Sequence, residues 1–407
     1  MRSGGADHAL RLCQHLAARN LEVHVLTSRI GDVATDPRLS IYPVMRHWSW
    51  GEMPRLVGIA LRCRPDVVNI HFSGGIFADE PMVTFAITIL KKVLPKTCFV
   101  TQIEYPEPVS VQRLSSYVRL CRKLASYLAG SEDVDYGYGT ILRDSDQIVI
   151  LSEIHRSILA RHFSGIDAKC VLIPPPPLMR MADQPIDEAR RRGREMLHVP
   201  ASDFLIAYFG YLYPGKGIET LLSALQLVTK TKTQVRLVLI GDANEVVLGR
   251  LARPNYLPEL RQLTRSLGLD GNVIWSGYYP TDSDLASVYL KAADACVLPF
   301  DDGVTLNRSS FAGAVAHGLP TITTRGEILE NPFKDGENVL LCKPMDPASL
   351  AAAIERLMND RDLRMRLSSG ALSLAREWFS WERAIDRTLE TFKSPAKKKS
   401  YEGRYLR

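Results

Sequence analysis

The chain has 407 residues, 46% hydrophobic and 24% charged, with 51 basic against 45 acidic side chains and a formal charge of +6. These values exclude a disordered or low-complexity chain. At roughly 150 residues per domain the length predicts two domains, with room for a third. The mild positive charge fits phosphorylated substrates or an anionic membrane surface and is too weak to point to nucleic acid.

No run reaches the ~18 consecutive apolar residues of a membrane-spanning helix. The opening MRSGGADHAL lacks the apolar core of a secretory leader, so a cytoplasmic location is expected. Cys13, Cys63, Cys98, Cys121, Cys170, Cys296 and Cys342 are widely spaced and include no CxxC pair. They read as free thiols, with neither a disulfide framework nor a zinc site.

In chain order, a helix is predicted over Asp7–Ala18, then strands over Leu21–Leu26, Val67–His71 and Cys98–Ile103. A helix over Val111–Leu128 and a strand over Gln147–Leu151 complete the first half. Pro174–Pro177 can continue neither a helix nor a central strand and reads as an extended linker. The basic stretch EARRRGREML that follows reads as a solvated helix face. The second half alternates strands (Leu205–Phe209, Val235–Gly241, Val273–Ser276, Ala295–Leu298, Thr321–Thr324, Val339–Cys342) with helices (Ile218–Thr229, Asp282–Lys291, Phe311–His317, Ser349–Met358). Such alternation predicts parallel sheets covered on both faces. The first element is out of order: a doubly wound unit opens on a strand, whereas here Ser3–Gly5 leads straight into a helix. The first N-terminal strand is missing, and the native chain is expected to start upstream.

Ligands of open parallel sheets bind beyond the C-terminal strand ends, where helices begin. Two clusters occupy such places. In FGYLYPGKGIETLLSAL, Gly210 and Tyr211 follow a strand, and Lys216 precedes a helix start. A lysine there suits a phosphate, or is simply a surface lysine. In VLPFDDGVTLNRSSFAGAVAHGLP, a loop with Gly303 and Thr305 leads to Asn307, Arg308, Ser309 and Ser310 at a helix start. Amides, hydroxyls and a guanidinium make a diphosphate cradle; the alternative is that Ser309 or Ser310 caps the helix.

The segments GYLYPGKGIETLLSAL, VRLVLIGD, NVIWSGYYPTDSDLASVYLKAADACVLPF, AHGLPTITT and DGENVLLCKPMDPASLAAAI, in this order, resemble the C-terminal domain of family 4 (group 1) retaining glycosyltransferases. FSWERAI resembles the helix that crosses back to the first domain in that family, and SGGADHALRLCQHLAARNLEVHVLTS its first loop, helix and second strand. The resemblance implies an α/β GT-B fold, two Rossmann-like doubly wound domains facing across a cleft. The implied boundaries are an acceptor-side domain at 1–177, a nucleotide-sugar domain at 178–379, a returning helix at 380–393 and a basic tail at 394–407. It implies a retaining, metal-independent hexosyltransferase with a nucleotide sugar as co-substrate and no cofactor. Leaving-diphosphate charge falls to Lys216, Arg308 and nearby amides, with Gly210, Tyr211, Gly303, Thr305, Asn307, Ser309 and Ser310 completing the donor site.

Some family positions are replaced. The usual arginine after the strand-end glycine is Tyr211, and the paired glutamates fall on Thr305 and Gly313. GVTLNRSS resembles a GVSxRR-like loop, in which Arg308 stands in for lost contacts. VTQIEYPEP resembles a stretch whose histidine near the donor sugar is here Ile103, with Glu104 kept. Gly4, Gly5, His71 and Glu104 are the acceptor-side candidates; Glu104 reads equally as a structural residue, and His71 more readily as a core or rim histidine. The helix bearing Arg113, Arg119, Arg122 and Lys123 reads either as an ordinary surface helix or as a weak contact with anionic lipid on the inner face of a membrane. The expected acceptor is a polysaccharide or lipid-linked saccharide. The rival reading is a non-catalytic scaffold subunit, given the replaced residues. A nucleotide-sugar epimerase is disfavoured because no carboxylate–histidine set is legible in the sequence, and a dinucleotide oxidoreductase because no GxGxxG follows a strand.

Overall fold

The computed structural model describes residues 4–393 except 30–35, 74–76, 78–79, 107–115, 117–119, 121–122, 125–126, 128–136 and 281. The chain forms two compact units. Among the described residues one is 8–174 with 384–393; the other is 175–383, grouped with 4–7.

The first unit runs α1 (Gly4–Ala18), β1 (Val23–Ser28), β2 (Leu39–Met45), α2 (Met53–Cys63), β3 (Val67–Ser73), α3 (Met82–Val93), β4 (Cys98–Tyr105), α4 (Ile141–Asp144), β5 (Gln147–Ile150), α5 (Glu153–Leu159) and β6 (Cys170–Leu172). The strands β3-β4-β5-β6 form one parallel sheet and β1-β2 a separate parallel pair. Among the described residues β1 and β3 each have a partner on one side only. Leu26 of β1, Val44 of β2, and Val68 and Ile70 of β3 nevertheless pack against one core around Phe72, Ile87, Phe99 and Ile103. The two sheets of this unit thus share a common core. The sequence analysis passed over β2 and β6. Pro43 lies inside β2, which is tolerated because the strand is an edge, and β6 has only three residues. The predicted helix over Val111–Leu128 lies largely outside the described residues.

The second unit runs α6 (Ile186–Met196), β7 (Phe204–Phe209), α7 (Ile218–Thr229), β8 (Val235–Ile240), α8 (Glu245–Arg250), α9 (Tyr256–Ser266), β9 (Val273–Gly277), α10 (Leu285–Ala292), β10 (Ala295–Leu298), α11 (Ser309–Ala316), β11 (Thr321–Thr324), β12 (Leu340–Cys342), α12 (Pro347–Asn359) and α13 (Arg361–Trp378). Its six strands are parallel in the order β12-β11-β10-β7-β8-β9. Strands buried on both faces read as the near-continuous apolar runs FLIAYF and VRLVLI. The final helix, α14 (Trp381–Thr391), places Ala384 against Cys98, Val100 and Val149 of the first unit's sheet.

Two readings need correction. The basic helix α6 is not simply a solvated face. Arg194 is buried, and its Nη2 donates to Asp294 Oδ2 at 2.7 Å, while Arg190 Nη2 donates to Oδ1 at 2.5 Å. Asp294 also accepts from the Leu205 amide at 2.8 Å, so α6 is pinned to the start of β7. Gly193 permits the close approach to α10, since a Cβ there would lie 2.7 Å from the Val288 carbonyl oxygen. The Pro174–Pro177 segment is not a free linker either. All four prolines are buried, and Pro177 accepts from Trp381 Nε1 at 3.0 Å.

Candidate functional site

In the second sheet the chain winds outward in both directions from the β7–β10 boundary. Such a reversal leaves a crevice at the C-terminal ends of the two central strands. The loops after β7 and β10 carry the two sequence clusters, and they touch. The Asp301 amide donates to the Gly215 carbonyl at 3.2 Å. A Cβ on Gly217 would lie 1.8 Å from the Pro299 carbonyl oxygen, so only glycine allows this approach, at φ +68°. Gly303, at φ +90°, packs likewise on the backbone of Gly326.

Lys216 and Arg308 meet over one ring. Lys216 Nζ lies 5.1 Å and the Arg308 guanidinium 4.6 Å from the centre of Phe300. The Tyr213 ring lies 4.8 Å from the same ammonium. Lys216 is not the surface lysine of the alternative reading: it is 9% exposed. Burial pulls its ammonium below the ordinary lysine value, the Tyr213 phenol opposes that shift, and Arg308 adds to it. Two cations brought together over one ring favour an anion. Arg308 Nη2 is held by the exposed Asp302 at 2.5 and 2.7 Å.

Arg308 is also the N-cap residue of α11, and no side chain caps that helix end. The capping role considered for Ser309 and Ser310 is therefore not seen; they are the first two helical residues. Ser310 faces Gly210, where a Cβ would stand 3.3 Å from the Ser310 Cβ. Gly210 and Ser310 thus lie against each other, beside the pair Lys216 and Arg308. Thr305 and Asn307 bond each other side chain to side chain at 2.5 Å. The Leu306 amide between them donates to the buried Glu330 at 2.6 Å, a loop anchor that sequence reasoning missed. Tyr211 offers its backbone carbonyl to the Tyr208 hydroxyl at 3.2 Å. Gly313 faces inward: a Cβ there would meet Met179 Cε at 2.6 Å and Phe209 Cε1 at 2.9 Å. The space a glutamate would need is filled.

The acceptor-side candidates behave differently from one another. Gly4 and Gly5 lie in the first turn of α1 and not in a preceding loop. A Cβ at Gly4 would meet nothing within 4 Å, so packing does not require glycine there. His71 and Glu104 come together, with His71 Nδ1 and Glu104 Oε1 3.1 Å apart. Two further residues join them that the sequence reading did not single out. Gln102 Nε2 donates to Glu104 Oε1 at 2.6 Å, and His8 Nδ1 lies 3.3 Å from the same oxygen. The i, i+2 spacing of Gln102 and Glu104 was the signal available for the first; His8 comes from α1 and had none. Burial alone would raise the Glu104 carboxyl; His8, then His71, hold it well below the usual carboxylate range. Ile103, between Gln102 and Glu104, points the opposite way, fully buried in the core.

Residues 190–373 match the family described as glycosyl transferases group 1. The chain carries a group 1 glycosyltransferase domain. Among curated relatives it is similar to a D-inositol 3-phosphate glycosyltransferase of Corynebacterium kroppenstedtii, 30% identical over 59% of this chain and 51% of the relative. It is also similar to the lipopolysaccharide core biosynthesis glycosyltransferase LpsD of Rhizobium meliloti, 32% identical over 49% of this chain and 52% of that one. The chain therefore spans about half the length of the curated relatives it matches. Among solved structures, Anabaena HepE in complex with UDP and glucose superposes with a TM-score of 0.67 at 16% identity, covering 96% of each chain. A Thermosynechococcus elongatus sucrose-phosphate synthase does so with 0.68 at 18% identity, over 96% of this chain and 93% of that one. The fold is that of GT-B glycosyltransferases, built from two Rossmann-like units.

Proposed function

We propose that this group 1 glycosyltransferase moves a hexose from a nucleoside diphosphate sugar to a saccharide or lipid-linked acceptor, with retention and without a metal. The observation that carries the reading is the paired, partly desolvated Lys216 and Arg308 beside the uncapped N-terminus of α11. Helix amides and two cations would take the charge that develops on the departing diphosphate. Relatives of the fold were solved with UDP and UDP-glucose, which makes uridine nucleotides the first probes. Nothing in this reading needs a cofactor.

The test is thermal stability against nucleoside diphosphates. A ligand at 100 times its Kd adds about 2.7 kcal/mol, and Lys216→Ala is expected to abolish the shift. No shift with any nucleotide in the folded protein would defeat the donor assignment. Turnover follows with the responding nucleotide's sugars, D-inositol 3-phosphate and lipid-linked saccharides serving as acceptors.

The second reading, a non-catalytic scaffold, rests on Gly313: Met179 and Phe209 fill the side-chain space where the resemblance puts a carboxylate. A scaffold would bind nucleotide yet release no diphosphate from any sugar donor. For location, no helix among the described residues is long and apolar enough to cross a membrane. We assign the protein to the cytoplasm, with weak contact at the membrane's inner face through the segment of exposed Leu120, Leu124 and Tyr127. Vesicle sedimentation with and without anionic lipid tests this; equal binding to neutral vesicles would defeat it.

A further inference from the structure

The loop between β10 and α11 is held from outside by the connection between β11 and β12. The Val304 amide donates to the Thr324 carbonyl at 3.0 Å, and Thr324 Oγ1 donates to the Phe300 carbonyl at 2.5 Å. Gly303 and Gly326 pass backbone to backbone, and a Cβ on Gly326 would lie 2.4 Å from the Asp302 carbonyl oxygen. These approaches secure the first half of the loop, with the Phe300 ring that lies beside Lys216 and Arg308. The second half, which carries Arg308 into α11, has a different anchor.

That second half is a turn. The Arg308 amide donates to the Thr305 carbonyl at 3.2 Å, and the side chains of Thr305 and Asn307 bond each other. In such a turn the amide of the second residue points out of the ring that the turn's own hydrogen bond closes. Here the second residue is Leu306, which is fully buried, so its amide needs a partner from elsewhere. Glu330 supplies it: Oε2 accepts from the Leu306 amide at 2.6 Å, and the side chain belongs to a residue only 4% exposed. Further along, the Phe333 amide donates to the Glu330 carbonyl at 3.1 Å. The Phe333 ring stands edge-on to Phe311 of α11, with centres 5.3 Å apart. One connection therefore grips the chain on both sides of Arg308, at Leu306 before it and at Phe311 after it. Packing gives no reason for a glutamate at this place. A buried carboxyl is costly unless it is bonded, and a negative charge behind a loop that receives an anion works against binding. What Glu330 offers is an acceptor with the right reach.

We propose that Glu330 is a positioning residue of the donor site: by bonding the Leu306 amide it sets the turn that aims Arg308 and the first amides of α11 at the diphosphate. This rests on the donor reading above. Glu330 acts through Arg308 and takes no part in making or breaking bonds. Without its acceptor the Thr305–Leu306 peptide is free to rotate, and Arg308 and the helix start lose their fixed aim.

The experiment measures the Kd of UDP by calorimetric titration, with GDP and ADP tried in turn if UDP does not bind, and melting confirms folding. Glu330→Met keeps the length of the side chain and removes the acceptor. Glu330→Gln keeps length and acceptor and removes the charge. Losing a hydrogen bond to a carboxylate is worth roughly tenfold in an equilibrium constant, so Glu330→Met should raise Kd about tenfold. Glu330→Gln should bind nearly as the wild type does, which separates positioning by the acceptor from an effect of charge. Gly268→Ala, strained at φ +69°, is the control for lost stability alone and should leave Kd unchanged. In an Arg308→Ala background Glu330→Met should cost much less than it does alone, whereas independent residues would multiply to within about twofold. A folded Glu330→Met with wild-type Kd overturns the proposal and leaves the donor reading standing. So does a Glu330→Gln that loses as much as Glu330→Met, or a full multiplication with Arg308→Ala. A wild type that binds none of the three nucleotides overturns both readings. If Glu330→Met does not fold, Glu330→Asp, whose carboxyl is one methylene short of the Leu306 amide, decides in its place.

Discussion

Gly217 and Gly268 form a matched pair for testing how the donor loop is built. Their φ angles are +68° and +69°. A Cβ at Gly268 would meet nothing within 4 Å, whereas one at Gly217 would sit 1.8 Å from the backbone oxygen of Pro299. Alanine at either site pays the left-handed cost of about 1–2 kcal/mol. Gly268→Ala should pay little else. Gly217→Ala must also push the end of β10 away from the start of α7, and overpacking of this kind adds about 1–3 kcal/mol. The expected totals are about 1–2 kcal/mol for Gly268→Ala and about 2–5 kcal/mol for Gly217→Ala. At roughly 2–4 °C per kcal/mol for a unit of this size, Gly217→Ala should melt several degrees below Gly268→Ala. Because the displaced backbone carries Lys216, Gly217→Ala should also weaken nucleoside diphosphate binding, and Gly268→Ala should not. Differential scanning calorimetry and a nucleotide titration measure both quantities. Equal losses of stability in the two variants, or unchanged nucleotide affinity in Gly217→Ala, would refute the reasoning.

Two further outcomes follow from particular side chains. Burial lowers the His317 imidazole to about 4, with its Nδ1 donating to the Gly313 carbonyl at 2.7 Å and its Nε2 accepting from Ser287 Oγ at 2.7 Å. The unfolded chain therefore binds a proton that the folded one refuses. The contribution is intact above about pH 6.5 and is lost at about 1.4 kcal/mol per pH unit down to about pH 4. His317→Gln should flatten the stability curve between those limits, and denaturant midpoints across them would show it; an unchanged slope would remove His317 as the cause. Ile103→His, which restores the residue of the related motif, should not restore a ligand contact. It places an imidazole among Phe72, Phe99 and Tyr138 in the core, at a cost of about 2 kcal/mol or more. Improved sugar-donor turnover in a well-folded Ile103→His protein would show that this position does face the substrate.

Much of the fold was legible because its signals are local. Apolar runs such as FLIAYF and VRLVLI mark strands buried on both faces, and Gly217 and the polar run Asn307–Ser310 mark where loops meet helices. The donor candidates could be found for the same reason: a parallel sheet presents its crevice at strand ends, and Lys216 and Arg308 follow two of them in sequence. The basic stretch of α6 was misread because charge was visible and its partner was not. Asp294 lies about a hundred residues further on, and only packing brings it to Arg190 and Arg194.

The sequence by itself determined that two parallel α/β units follow one another, and which loops could bind an anion. Tertiary structure decided the rest, because side-chain chemistry depends on which face of a strand a residue occupies and on what arrives from elsewhere. It turned Ile103 inward and Glu104 outward, and filled the space beside Gly313 with Met179 and Phe209. It buried Lys216 against two aromatic rings. It also brought His8, from a helix 94 residues earlier, within hydrogen-bonding distance of Gln102. No spacing rule connects His8 to His71 and Glu104; the meeting of α1 with the ends of β3 and β4 does.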